Sequence, residues 1–278
     1  MPIWSVELSL CCGVKKQSAF DTDRIVTTQC PQCRTLWVEH VNQKSSLDSA
    51  WQGPKLTQEF LDALSHRREV QAQQLLKIMT DTPEPILDYG CGQAVFFGKA
   101  KSVGHDIWAA DIALPADSRA LKSDNFVQIL RPWEIPDGEW GTVVLLDVLE
   151  HHPDPGSFLA SLTAQRVVVK VPLLDGPVGR VAIALARSGR PRRLESLLLI
   201  DEPNPHRVFF TSAGLKNIAA PLKFVTCNRI PDVGTELPER MTGRDLGIKA
   251  WPLRVVGGVM ASIGRVWSDT AVFVFSRP

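Results

Sequence analysis

The stretch Pro83-Glu-Pro-Ile-Leu-Asp88-Tyr-Gly90-Cys-Gly92-Gln-Ala94-Val-Phe-Phe-Gly98 decides the fold. Two prolines keep helix out of the approach, Ile86 and Leu87 open an apolar strand, and Asp88 stands where that strand ends. Beyond Gly90 and Gly92 the apolar spacing lengthens, so the segment reads as strand, tight glycine turn and helix. Glycine at 90 and 92 removes Cβ atoms that would keep a ligand away, and the new helix starts with unpaired backbone N–H groups. That combination suits a nucleotide or nucleoside. Many glycine turns are purely conformational, so the surrounding sequence has to decide.

Twenty-three residues after Asp88, Gly104-His-Asp-Ile-Trp-Ala-Ala-Asp111 reads as a turn, a second strand and an acid at its carboxyl end. A doubly wound sheet holds a ribose at that place. A carboxylate can accept both ribose hydroxyl hydrogens, although Asp111 could also simply cap the next helix. Here the chain resembles the class I S-adenosylmethionine-dependent methyltransferases, whose first motif is an acid followed by spaced glycines, present as Asp88-Tyr-Gly90-Cys-Gly92-Gln-Ala94. Ala94 replaces the family's usual third glycine. A dinucleotide site keeps that glycine for the pyrophosphate, which makes NAD the poorer match.

Two further stretches carry the same resemblance. Gly141-Thr-Val-Val-Leu-Leu-Asp147 is a continuous apolar run, as a parallel strand buried on both faces requires, and it continues as Val148-Leu-Glu-His151-His152-Pro-Asp-Pro155. An Asp-Val-Leu-Glu-His sequence occurs here in methyltransferases related to the ubiquinone- and small-molecule-modifying enzymes. His206-Arg-Val-Phe-Phe-Thr211 resembles the family's His-x-x-Phe-Phe-Thr/Ser segment. The resemblance implies S-adenosylmethionine contacts from Asp88, Tyr89, Gly90, Cys91, Gly92, Asp111, Ile112, Leu130, Asp147 and Val148. It implies a seven-stranded, mostly parallel Rossmann-like α/β sheet with helices on both faces, the last strand, Thr270 to Ser276, inserting antiparallel. The acid usual before the fourth strand is replaced by Gly141, and the acid of the adenine position by Ile129, Leu130 and Arg131, leaving adenine to backbone and apolar contacts.

The 278 residues, 44% apolar and 22% charged with a net charge of +1, read as an ordinary globular chain. Near-neutrality argues against nucleic acid as a partner, and the arginines between 187 and 193 read as a solvated helix end. With no apolar run of membrane-spanning length and no signal-peptide pattern, a cytoplasmic protein with reduced cysteines is expected.

Four of the six cysteines fall in residues 1–50: Cys11, Cys12, Cys30 and Cys33. In a reducing compartment a Cys-x-x-Cys corner more often holds a metal or does redox work than forms a structural disulfide, and two corners would clamp zinc through thiolates. The first corner is irregular, because a regular knuckle ending at Cys12 needs cysteine where Ser9 stands. The segment resembles the small zinc ribbon that precedes the catalytic domain in some bacterial methyltransferases. Cys12, Cys30 and Cys33 are the better ligands, with Cys11 or His40 as the fourth; a degenerate ribbon without metal is the alternative.

The expected organisation is a zinc-ribbon-like module at 1–50 and a methyltransferase domain at 51–278, with lid and acceptor insertions at about 172–206 and 229–268. Ala72, Leu75, Leu76 and Met79 mark an amphipathic helix ahead of the glycine turn. Val255 to Ile263 is helically spaced and could pack internally or touch an apolar acceptor or a membrane surface. The expected activity is methyl transfer from S-adenosylmethionine to oxygen, carbon or nitrogen of a small-molecule or lipid-like acceptor, with His151 or His206 as base and His152 third. A cofactor-binding scaffold without catalysis is the alternative.

Overall fold

The computed structural model describes residues 11–21, 25–41, 58–114, 118, 120–188, 206–230 and 268–278. The arginine-rich stretch from 189 and the Val255 to Ile263 segment lie outside the described residues.

The described residues form two sheets. The larger has seven strands: β4 (Ile86–Tyr89), β5 (Ile107–Asp111), β6 (Phe126–Gln128), β7 (Thr142–Leu146), β8 (Arg166–Pro172), β10 (Lys223–Ile230) and β11 (Thr270–Ser276), in the order β10-β11-β8-β7-β4-β5-β6. Strands β4 to β8 are mutually parallel, and β11 inserts antiparallel between β8 and β10. This is the Rossmann-like sheet expected from the sequence. Successive residues of its central strands enter opposite hydrophobic layers: Leu87, Val143 and Val167 face Phe158 and Leu159, whereas Ile86, Val144 and Val168 face Leu75 and Phe97. Burial on both faces explains why these strands read as unbroken apolar runs.

The layers are supplied by α1 (Gln58–Ile78), α2 (Val95–Ser102) and α3 (Pro155–Ser161). α1 is continuous across the whole expected segment, and Ala72, Leu75 and Met79 are buried. Gly141 carries no acid for a steric reason: a Cβ there would sit 2.6 Å from the Glu84 carbonyl oxygen.

The smaller sheet joins β1 (Gln17–Asp21), β2 (Ile25–Gln29) and β3 (Leu36–Val41) to β9 (Val208–Phe209). β9 pairs antiparallel with β3, Leu36 opposite Phe209 and Trp37 opposite Val208. The strand that completes the cysteine-bearing sheet therefore comes from the His206-to-Thr211 stretch. Phe210 bridges to Leu173 beyond β8, tying this strand to the larger sheet, and Thr211 caps α5 (Ser212–Ile218). α4 (Pro177–Arg187) follows β8.

Candidate active site and cysteine cluster

β4 and β5 end side by side, Tyr89 opposite Ala110, and the glycine turn hangs from β5 through Gly90 N–H to the Ala110 carbonyl at 2.8 Å. Asp111 accepts from the Gly92 N–H at 2.7 Å and from the Ala113 N–H at 3.3 Å. Its carboxylate is thus oriented by the turn while retaining lone pairs for a ligand. Asp88 is buried, accepts from the Phe97 backbone N–H, and has one oxygen without a hydrogen-bond partner among the described residues. Burial, reinforced by Asp111, pushes its carboxyl up to about 7.

Gly90 has φ +71°, and a Cβ there would meet Val148 Cγ2 at 2.6 Å. The first and second motifs therefore touch. Ala94 adopts the left-handed conformation, φ 56°, at the start of α2. That costs an alanine about 1 kcal/mol, and burying its methyl group returns a similar amount, roughly 0.8 kcal/mol. The missing third glycine is thereby tolerated.

After β7 the chain turns sharply at Asp147, φ 56°. Its carboxylate accepts from Lys170 Nζ at 2.5 Å, and its own N–H donates to the Lys170 carbonyl at 3.0 Å. A one-turn 3-10 helix, Leu149–His151, then brings Glu150 beneath the histidines. Glu150 is fully buried, and neither carboxyl oxygen has a hydrogen-bond partner among the described residues. Burial, then the charge of Asp147, holds its carboxyl well above the usual range. His206 Nε2 lies 3.9 Å from Glu150 Oε1, and the His151 and His206 rings meet edge to face at 4.8 Å.

His152 departs from the expectation of a third candidate base. Its Nδ1 accepts the Asp154 backbone N–H at 2.8 Å, and its ring stacks on Phe158 at 4.9 Å with Trp133 at its edge. The lone pair a base would use is engaged, and burial lowers the imidazole to about 4. Tyr89 is also turned inward, its ring against Phe158 at 5.5 Å and burial raising its phenol to about 12. Only its backbone lies at the turn. Burial, then the charges of Asp88 and Asp111, raises the Cys91 thiol. In contrast Ile112 and Leu130 are 48% and 81% exposed, an unusual degree for large apolar side chains, and they follow the paired ends of β5 and β6. Lys170 and Glu150 are the residues sequence reasoning did not single out. Arg68 of α1 donates to Gln93 Oε1 at 2.7 Å, so α1 reaches the glycine turn.

At the other end of β9, the sulfurs of Cys11, Cys12, Cys30 and Cys33 all lie within 4.8 Å of one another. Cys11 Sγ is 3.6 Å from Cys12 Sγ and 3.5 Å from Cys33 Sγ. Positive φ at Cys12 (57°) and Gly13 (70°) lets the adjacent cysteines turn toward one centre. A hydrogen bond from Cys11 pulls the Cys33 thiol down to about 4, and the Cys11 thiol rises correspondingly. Thr211 Oγ1 donates to the Cys33 carbonyl at 2.6 Å, and Asn217 Nδ2 to Cys12 Sγ at 3.0 Å. A cleft of about 560 Å³ beside this cluster, lined by Trp37, Asp154 and Asn217 among others, is separate from the glycine turn.

A family model described as "Methyltransferase domain" matches residues 63–224, more than half of the chain. The chain belongs to this methyltransferase-domain family. Its fold is that of the class I S-adenosylmethionine-dependent methyltransferases. Similar solved structures include the putative methyltransferase in complex with the Trm112 methyltransferase activator of Haloferax volcanii, 14% identical, TM-score 0.51, covering 81% of this chain and 100% of that one. Another is magnesium protoporphyrin IX methyltransferase from Synechocystis PCC 6803, 13% identical, TM-score 0.50, covering 81% of this chain and 90% of that one. No curated protein matches at the level of sequence.

Proposed function

We propose that the chain transfers a methyl group from S-adenosylmethionine to an oxygen, or a carbon or nitrogen, of a small-molecule or lipid-like acceptor. The carrying observation is the convergence of the two motifs, Val148 against Gly90 and Asp111 against Gly92, at the carboxyl ends of adjacent parallel strands. The residues fit the cofactor: Asp111 offers an oriented carboxylate for ribose hydroxyls, exposed Ile112 and Leu130 offer apolar faces for a flat base, and buried Asp88 keeps a carboxyl oxygen unpaired among the described residues. Bound there, the cofactor supplies an activated methyl group on a good leaving sulfur.

The protein's own task is then alignment, exclusion of water and removal of a proton from a high-pKa acceptor. His206 and His151 are the proposed bases, since both lie beyond β7 with Glu150 beneath them. The acceptor is read as a small molecule because the net charge of +1 offers no phosphate-binding excess of basic residues.

We further infer a structural zinc at Cys11, Cys12, Cys30 and Cys33. Zn–S bonds of about 2.3 Å put tetrahedral sulfurs about 3.8 Å apart, near the 3.5–3.6 Å seen here. A cytoplasmic setting, where thiols stay reduced, suits that role.

The test is methyl transfer from labelled S-adenosylmethionine to a panel of phenols, sugars, quinols and lipids. His206→Gln and His151→Gln should identify the base by a kcat loss of about 100-fold or more with cofactor affinity kept. Loss of turnover and affinity together in both variants would rule out a proton-transfer role for either histidine.

A further inference from the structure

We propose that Glu150 is a positioning residue for His206: its buried carboxylate fixes the imidazole and balances the charge the ring gains on taking a proton from the acceptor. Its catalytic meaning rests on the methyl-transfer reading above.

Glu150 engages the incoming segment twice. Its backbone carbonyl accepts the Arg207 N–H at 2.8 Å, and its Oε1 lies 3.9 Å from His206 Nε2. The backbone bond fixes the height of residue 206 over the 3-10 turn, and the pairing of β9 with β3 fixes its direction. A buried carboxylate that accepts no hydrogen bond among the described residues is a costly group that must find a cation or a proton. The charged and titratable groups facing this pair are Asp147, Lys170 and His151. Lys170 also acts on Glu150 but is engaged by Asp147 at 2.5 Å. Among the described groups the two imidazoles, both within 4.8 Å, are therefore those whose protonation would compensate Glu150, and His206 has a ring nitrogen 3.9 Å from it.

The step is a proton transfer only. The acceptor's O–H bond breaks, its electron pair stays on oxygen, and the proton joins an imidazole nitrogen, so the charge of the pair goes from −1 to zero. An opposite charge at this separation favours the imidazolium, making His206 a stronger base and moving the pH at which it becomes free to act upward. The two groups titrate as a unit.

The experiment is NMR titration of the imidazole signals in the full-length, cofactor-free protein, assigned with His206→Gln. In Glu150→Gln the midpoint of His206 should fall by about one pH unit, a tenfold loss of proton affinity. In the unsubstituted protein, infrared spectroscopy with labelled glutamate should show a buried carboxylate band that shifts over the same pH range as His206 titrates. This arm stands even if Glu150→Gln does not fold. An unmoved or raised His206 midpoint in Glu150→Gln, or a carboxylate band that does not respond as His206 titrates, overturns the proposal. With an active acceptor in hand, the acid limb of kcat should move down with the NMR midpoint in Glu150→Gln; a limb that stays put also overturns it. The titrations decide the pairing whether or not methyl transfer is found.

Discussion

At the scale of single residues, Asp88 is the point where stability and binding oppose one another. Burial raises its carboxyl from 3.8 to about 7 in the folded chain. For a group raised on folding, the favourable contribution is complete below the unfolded value and is lost as pH climbs through the folded one. The cofactor-free protein should therefore lose stability between about pH 4 and pH 7, by at most roughly 4 kcal/mol from this group. Asp88→Asn should remove that loss, raising the urea midpoint at pH 8 more than at pH 5, and should weaken cofactor binding. Identical pH dependence in both proteins would contradict the assignment. That Asp88, Asp111 and the glycines meet at one turn was readable because it depends on local spacing. Glu150 lay inside a quoted motif yet went unread, because what singles it out is complete burial with neither carboxyl oxygen hydrogen-bonded among the described residues. Lys170 did leave a signal: it is the lone lysine in the apolar run of β8. His152 shows the converse, since adjacency to His151 says nothing about which ring is wedged between Phe158 and Trp133.

Among the elements, β9 is where the cysteine cluster and the candidate catalytic histidine meet. Its two residues pair with β3, while Thr211, two residues on from Phe209, is hydrogen-bonded to the Cys33 carbonyl. Loss of metal should loosen this strand first. We expect about one zinc per chain in protein purified without chelators. Stripping it, or replacing Cys33 by serine, should speed amide exchange across 207–217 and leave β4 and β5 protected, with methyl transfer reduced and cofactor affinity retained. Absence of zinc, or unchanged exchange across 207–217 after its removal, would contradict the coupling. Hydrophobic period carried most elements into view, including β4, β7, β8 and α1. It could not reveal that a two-residue strand joins a partner about 170 residues earlier, because so short a segment has no period and its pairing is decided by tertiary packing.

For the whole molecule, the parallel order of the central strands brings residues from four separate stretches, around 90, 111, 148 and 206, to one end of the sheet. The seven-stranded, mostly parallel sheet with its antiparallel last strand was legible through the resemblance, and the unbroken apolar runs independently required a sheet covered on both faces. The acceptor was not legible, since a binding surface for it has no fixed spacing in the chain. The central claim is that this end of the sheet binds S-adenosylmethionine through Asp111. Calorimetric titration of the cofactor into the purified protein tests it most directly: one site per chain is expected, with Asp111→Asn weakening binding by about 10- to 100-fold. No binding to the unsubstituted protein, or equal affinity in Asp111→Asn, would contradict it.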